Sequence, residues 1–256
     1  MVEDSILSTI KKYNLIENGD KIVVAVSGGP DSITLLDCLY NLKENKKLDF
    51  EMVVCHINHG LRENAKIDEE YVLDYCNKIN IKCFVLHAKV KEEAEKQKRG
   101  LEEMGRIIRY DFFDEVAKET NSNKIAIAHN SNDNVETIIM NIIRGSGLSG
   151  LKGIEAISGK YIRPLIETSR TDIEKYCEDK KLNPRHDESN DDNIYTRNKV
   201  RNIVIPYIKR ELNPNIIETI NRLSSITKDD LNYLELQTEA SYNNMLLEEN
   251  FSKENV

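Results

Sequence analysis

Four short runs of apolar, largely β-branched residues recur along the first half of the chain: KIVVAV (21–26), FEMVVCHIN (50–58), IKCFVLHA (81–88) and KIAIAH (124–129). Each gives way to a polar turn and then to helical apolar spacing. Strands separated by helices pair in parallel, because the helix carries the chain back across the sheet before the next strand starts. Helices are expected near 4–16, 31–43, 66–80, 101–120 and 132–144, the second carrying Ile33, Leu35, Leu36 and Leu39. The expected fold is therefore α/β: a doubly wound, mostly parallel sheet with helices on both faces, followed by a helical extension.

After Gly150 the alternation weakens. A helix is expected at 169–182, an irregular stretch PRHDESNDDN follows, and a second helix is expected at 197–210. Pro214 opens a last, polar helical stretch to about 249. A chain of 256 residues suits one sizeable core with an appendage. The reading is a principal domain over 1–210, and over 211–256 a helical linker or the start of a C-terminal appendage. The segment KVKEEAEKQKRG (89–100) is so charged that a mobile loop or lid is expected there, with Gly100 as its hinge.

No apolar run approaches the roughly 20 residues of a membrane span. The opening MVEDSILSTI has no basic stretch before an apolar core, so a cytoplasmic protein is expected. Cys38, Cys55, Cys76, Cys83 and Cys177 form no CxxC pair, which argues against a zinc ribbon, an iron–sulfur site or a disulfide framework. The net charge of -8 counts against a nucleic-acid partner. Residues 193–210 depart from that balance, with Arg197, Lys199, Arg201, Lys209 and Arg210 and no acid among them. Such a patch serves RNA phosphates or a solvated helix face equally well. On the first reading Arg201→Ala should remove about one phosphate contact from the salt dependence of RNA binding.

Directly after the first strand stands Ser27-Gly28-Gly29-Pro30-Asp31-Ser32, and then a helix. A glycine-rich turn between strand and helix N-terminus makes an anion cradle, because unpaired backbone N–H groups and the positive dipole end converge there. Gly28 and Gly29 allow close approach, Pro30 suits a first helical turn, and Ser27 and Ser32 offer hydroxyls. A Walker A loop would need a lysine before Ser32, and Asp31 occupies that place. A carboxylate beside a polyphosphate calls for a cation, which makes Asp31 a candidate Mg²⁺ contact.

SGGPDS after a strand resembles the PP-loop of the N-type ATP pyrophosphatases. The resemblance implies that ATP is cleaved between its α- and β-phosphates, with AMP passing to a substrate oxygen. Further stretches resemble the tRNA(Ile)-lysidine synthetase branch. They are His56-Ile57-Asn58-His59-Gly60-Leu61-Arg62, Glu102 with Arg106, Arg109 and Tyr110, and His129 through Thr137. The likeness continues at Arg144-Gly145-Ser146-Gly147-Leu148, Arg163-Pro164-Leu165, and Asp187-Glu188-Ser189-Asn190 with Arg197-Asn198 and Arg201. Together they span about residues 21–206. The branch usually has two adjacent aspartates where this chain has Asn132-Asp133, so the first carboxylate's task is dispensable or is done by an amide.

The resemblance implies a ligase that adenylates the cytidine at the first anticodon position of an isoleucine tRNA and joins L-lysine to it. ATP and Mg²⁺ are the implied cofactors, and a homodimer is left open. Asp31, Asp133, Glu136 and Arg197 are the candidate catalytic residues, and residues 27–32 the ATP cradle. The candidate substrate and tRNA contacts are His56, His59, Arg62, Arg106, Arg109, His129, Arg144, Asn190, Asn198 and Arg201. Asp133 and Glu136, three apart on one helix face, would serve the lysine amine or Mg²⁺, or merely complement the helix dipole. Glu102, Arg106 and Arg109 share a face that suits a surface ion pair as readily as RNA. The rival readings are a PP-loop tRNA thiolase, against which the missing CxxC counts, and a non-catalytic nucleotide-binding adaptor.

Overall fold

The structure is a computed structural model that describes residues 2–58, 60, 65–185 and 195–253, with side chains up to 245. Packing divides the chain into two compact units. The first is Met1–Asn132 with Glu155–Ser189, and the second is Asp133–Ile154 with Asn190–Val256.

The first unit holds one six-stranded sheet made of β1 (Asp20–Ala25), β2 (Phe50–Asn58), β3 (Cys83–His87), β4 (Lys124–Ala126), β5 (Ile157–Ser158) and β6 (Tyr161–Ile162), in the order β3-β2-β1-β4-β6-β5. β1 pairs in parallel with β2 through Ala25↔Cys55 and with β4 through Val24↔Ala126. The order reverses at β1, so a crevice opens past the carboxyl ends of β1 and β4, where sheets of this kind bind ligands. Both faces are covered. Val23, Cys55 and Ile125 pack under Phe112, Phe113 and Val116 of α5 (Leu101–Glu119). Ile22 and Val24 point the other way by the two-residue period and are fully buried as well. The remaining helices of this unit are α1 (Val2–Tyr13), α2 (Pro30–Glu44), α3 (Ala65–Lys78), α4 (Val90–Gln97) and α8 (Arg170–Lys180).

The lid expected at 89–100 is instead the helix α4. Its charge had masked an i, i+4 apolar pair, Val90 and Ala94, which is buried against Met104 of α5. Gly100 caps α5 at φ -66, a conformation open to any residue, so nothing in its backbone marks a hinge. The weak pattern after Gly150 had also hidden a strand pair. Two-residue strands carry no readable period, yet β6 extends the sheet beside β4, and β5 returns antiparallel to it.

The second unit is helical. α6 (Ser131–Ile143) enters it from Asp133 onward, followed by α7 (Leu148–Leu151), α9 (Thr196–Lys199), α10 (Ile205–Glu211) and α11 (Ile216–Lys253). Between α9 and α10 runs a wide π turn, Val200–Val204, in which the Ile205 N–H reaches back to the Val200 carbonyl. Pro206 follows and has no N–H to continue a regular ladder. Val135, Ile139, Val200 and Ile205 form the core, joined by Ile216, Ile217 and Ile220. Asn134 staples this unit, accepting from Ile154 N at 2.6 Å and donating to Asn221 at 2.8 Å. Gly153 stands at φ +66, and a Cβ there would fall 2.1 Å from the Asn134 Oδ1, so only glycine fits.

Candidate functional site

In the first unit the phosphate loop stands at the carboxyl end of β1. Gly28 takes φ +93, and α3 approaches it closely enough that a Cβ would touch Val72 at 3.5 Å. Pro30 opens α2, as the sequence suggested. The two serines divide their work differently from what was expected. Ser32 is buried and braces the loop, its Oγ accepting from Ser27 N at 3.1 Å and Gly28 N at 3.2 Å while donating to Gly29 O at 3.1 Å. Ser27 is exposed. Incoming phosphate oxygens would compete with Ser32 for the same backbone donors.

Asp31 is held from the neighbouring strand, since Asn130, beyond β4, donates its side-chain amide to Asp31 Oδ1 at 2.9 Å. Asn130 in turn accepts from Asn132 N at 2.9 Å, and Asn132 Oδ1 accepts from Arg170 N, the first residue of α8, at 3.1 Å. Asn132, where the resembled branch has an aspartate, thus caps a helix, a task an amide oxygen performs unaided. As a site for Mg²⁺, Asp31 supplies one carboxylate, and no set of three or more metal-ligating side chains exists among the described residues.

Other sequence candidates are placed in this unit. His56 ends buried, with Nδ1 2.9 Å from the Val26 carbonyl. His129 follows β4 and accepts at Nδ1 from the Arg163 Nε at 3.2 Å, while Arg163 also donates to the Glu155 carbonyl at 2.8 Å. Burial pulls the Arg163 guanidinium below its ordinary value. Arg106 lies over the Tyr110 ring at 5.2 Å, and Tyr110 meets Tyr161 edge-on at 5.0 Å. Arg109 is exposed on the same helix. Arg185 escaped the sequence reading: its N–H donates to Gly28 O at 2.9 Å, and its guanidinium reaches Asp68 at 3.1 Å. Nothing in the local pattern marks it, because the contact is made between residues 157 positions apart. His59, Arg62 and Asn190, with Asp187, Glu188 and Ser189, lie outside the described residues.

In the second unit four charges interlock. Asp133 and Glu136, one helical turn apart on α6, meet Arg197 of α9 and Arg201 of the π turn, themselves four apart. Asp133 Oδ1 accepts from Arg197 Nη2 at 2.9 Å and from Arg201 Nη2 at 3.0 Å. Glu136 accepts from Arg197 Nε at 2.8 Å and from Arg201 at 2.5 and 2.8 Å. Glu136 is 2% exposed and the two arginines are partly open, so the quartet is neutral overall with one accessible side. Arg201, expected among the substrate and RNA contacts, pairs here with both carboxylates. Among the basic residues of 195–210 this leaves Lys199, Lys209 and Arg210 exposed, with Arg210 over the Tyr207 ring at 6.0 Å. Asn198 is half-buried on α9. Arg144 is exposed just beyond the far end of α6, roughly 12 Å along the axis from Glu136, and takes no part in the quartet.

A parallel sheet with a glycine–serine anion cradle at its reversal point, an aspartate in place of the Walker lysine and no P-loop lysine defines a class, the PP-loop proteins. The chain matches the PP-loop domain family over residues 2–208 and belongs to it. Within that class it is 45% identical over 244 residues to the tRNA(Ile)-lysidine synthase of Clostridioides difficile, and 48% identical over 244 residues to that of Clostridium acetobutylicum. Each alignment covers 94% of this chain and 52% of the relative. The chain thus spans about half the length of the curated relatives it matches. The fold is also that of the U34-tRNA thiolase NcsA from Methanococcus maripaludis, with a TM-score of 0.71 at 16% identity, covering 89% of this chain and 78% of that one.

Proposed function

We propose that this chain catalyses the ligation its relatives are named for: ATP adenylates the cytidine at the first anticodon position of an isoleucine tRNA, and L-lysine then displaces AMP to give lysidine. In the first step the ring carbonyl oxygen of cytidine attacks the α-phosphorus and pyrophosphate leaves. In the second, the neutral ε-amine of lysine attacks the activated ring carbon, AMP departs, and the amine loses its proton. The loop 27–32 binds the phosphates, and Asp31, aimed by Asn130, faces them. Mg²⁺, where bound, neutralises phosphate charge.

The observation that carries the reading is the neutral quartet of Asp133, Glu136, Arg197 and Arg201. A free lysine whose ε-amine is neutral brings one carboxylate and one cationic α-amine, so it can exchange ion pairs with such a quartet without leaving a buried charge unpaired. A divalent cation at the same carboxylates would face two guanidinium groups, so the lysine assignment of Asp133 and Glu136 is preferred to the metal one. A thiolase has no need of an amino-acid site. RNA contact falls to the Arg106–Tyr110 pair, Arg109, Arg144 and the exposed cations of 195–210, and the reading places the protein in the cytoplasm.

Chromatography of labelled nucleotide in the presence of tRNA and lysine tests the assignment. AMP and pyrophosphate are expected, both dependent on tRNA. ADP as the main product would remove it.

A further inference from the structure

Among the described residues, one buried side-chain polar atom has no hydrogen-bond partner: Nε2 of His56. The residue is 3% exposed and stands one position past the Ala25↔Cys55 pair that ends the β1–β2 ladder. Its other nitrogen, Nδ1, lies 2.9 Å from the Val26 carbonyl, the residue immediately before the phosphate loop. A carbonyl can only accept, so Nδ1 carries the proton and Nε2 presents a bare lone pair. Leaving such an acceptor buried and unmatched is unfavourable, and in native proteins it marks a place that something else is meant to fill.

The geometry points to His56 Nε2 as the acceptor for a hydrogen-bond donor on the nucleoside half of the bound nucleotide, making His56 a specificity-determining residue of the ATP site. This rests on the nucleotide reading above and goes beyond it. Phosphate oxygens are acceptors at neutral pH and would be repelled by a lone pair, which excludes the triphosphate end. Burial holds the imidazole below its usual value of 6.5, so it stays neutral and does not become a phosphate-binding cation. The charged groups near the ring are Asp68 and Glu69 of α3 and His87 of β3. The nucleoside offers two donor sources, the exocyclic amine of adenine and the ribose hydroxyls.

Equilibrium binding of ATP, inosine triphosphate, 2′-deoxy-ATP and 3′-deoxy-ATP to the wild type, His56→Phe and His56→Gln tests the inference. In the wild type at least one analogue should bind roughly tenfold more weakly than ATP, and which one identifies the donor. That penalty should vanish in His56→Phe, which also binds ATP itself about tenfold more weakly, and should return in part in His56→Gln, which restores an acceptor. Equal binding of all four nucleotides by the wild type would overturn the proposal even if neither variant folds. So would a penalty that persists unchanged in a folded His56→Phe, since Nε2 would then serve only a bound water or local packing. Failure of the wild type to bind ATP at all would remove the nucleotide reading and this proposal together, whereas ATP binding without discrimination removes the proposal alone.

Discussion

Asn132 illustrates how much of this site turns on single atoms. Its side-chain oxygen caps α8 through Arg170 N, and its own N–H is bound by Asn130, the residue that aims Asp31. Asn132→Asp keeps the acceptor and adds charge at a helix N-terminus, so stability and activity should stay close to wild type. Asn132→Leu should cost about 1–3 kcal/mol, seen as a lowered midpoint in urea denaturation. Equal losses in both variants would contradict the capping role. The sequence singled out residues 27–32, Asp133 and Glu136, because local motifs announce themselves. It did not show which hydroxyl braces the loop, that Arg185 reaches Gly28, or that Arg201 turns inward. Each of those depends on a neighbour supplied by the fold.

At the scale of elements, the strands β1 to β4 and the helices between them were legible within a few residues, since their periods of two and 3.6 are long enough to read. α4 was not, because six of its eight residues are polar and only Val90 and Ala94 carry the pattern. Ala94→Asp would bury a carboxylate beside Met104 and should destabilise the first unit by a few kcal/mol, with faster amide exchange over 90–97. Unchanged exchange there would restore the mobile-lid expectation. In the second unit Arg197 and Arg201, four apart, share one side of the helix by its ordinary period, and the wide turn at Val200–Val204 lies directly before Pro206.

For the whole molecule, stability should depend on pH at both ends. His56 is held below 6.5 in the folded protein by burial. The unfolded chain therefore takes up that proton first, and stability falls as pH drops below about 6.5. Tyr13, Tyr75 and Tyr176 are raised above 10, in each case chiefly by burial. The unfolded chain loses those protons first, so stability also falls as pH rises beyond about 10. Denaturant midpoints at a series of pH values would show both limbs, and a folded His56→Gln should flatten the acidic one. The proposed function divides the labour, with adenylation served by the phosphate loop and lysine held by the quartet of Asp133, Glu136, Arg197 and Arg201. Its most direct test is a single-turnover reaction of Glu136→Gln with ATP, tRNA and lysine, following pyrophosphate and AMP separately. Pyrophosphate should appear at close to the wild-type rate, and AMP release should be slowed at least roughly tenfold with a raised requirement for lysine. Loss of the pyrophosphate step itself, or normal rates for both steps, would contradict it.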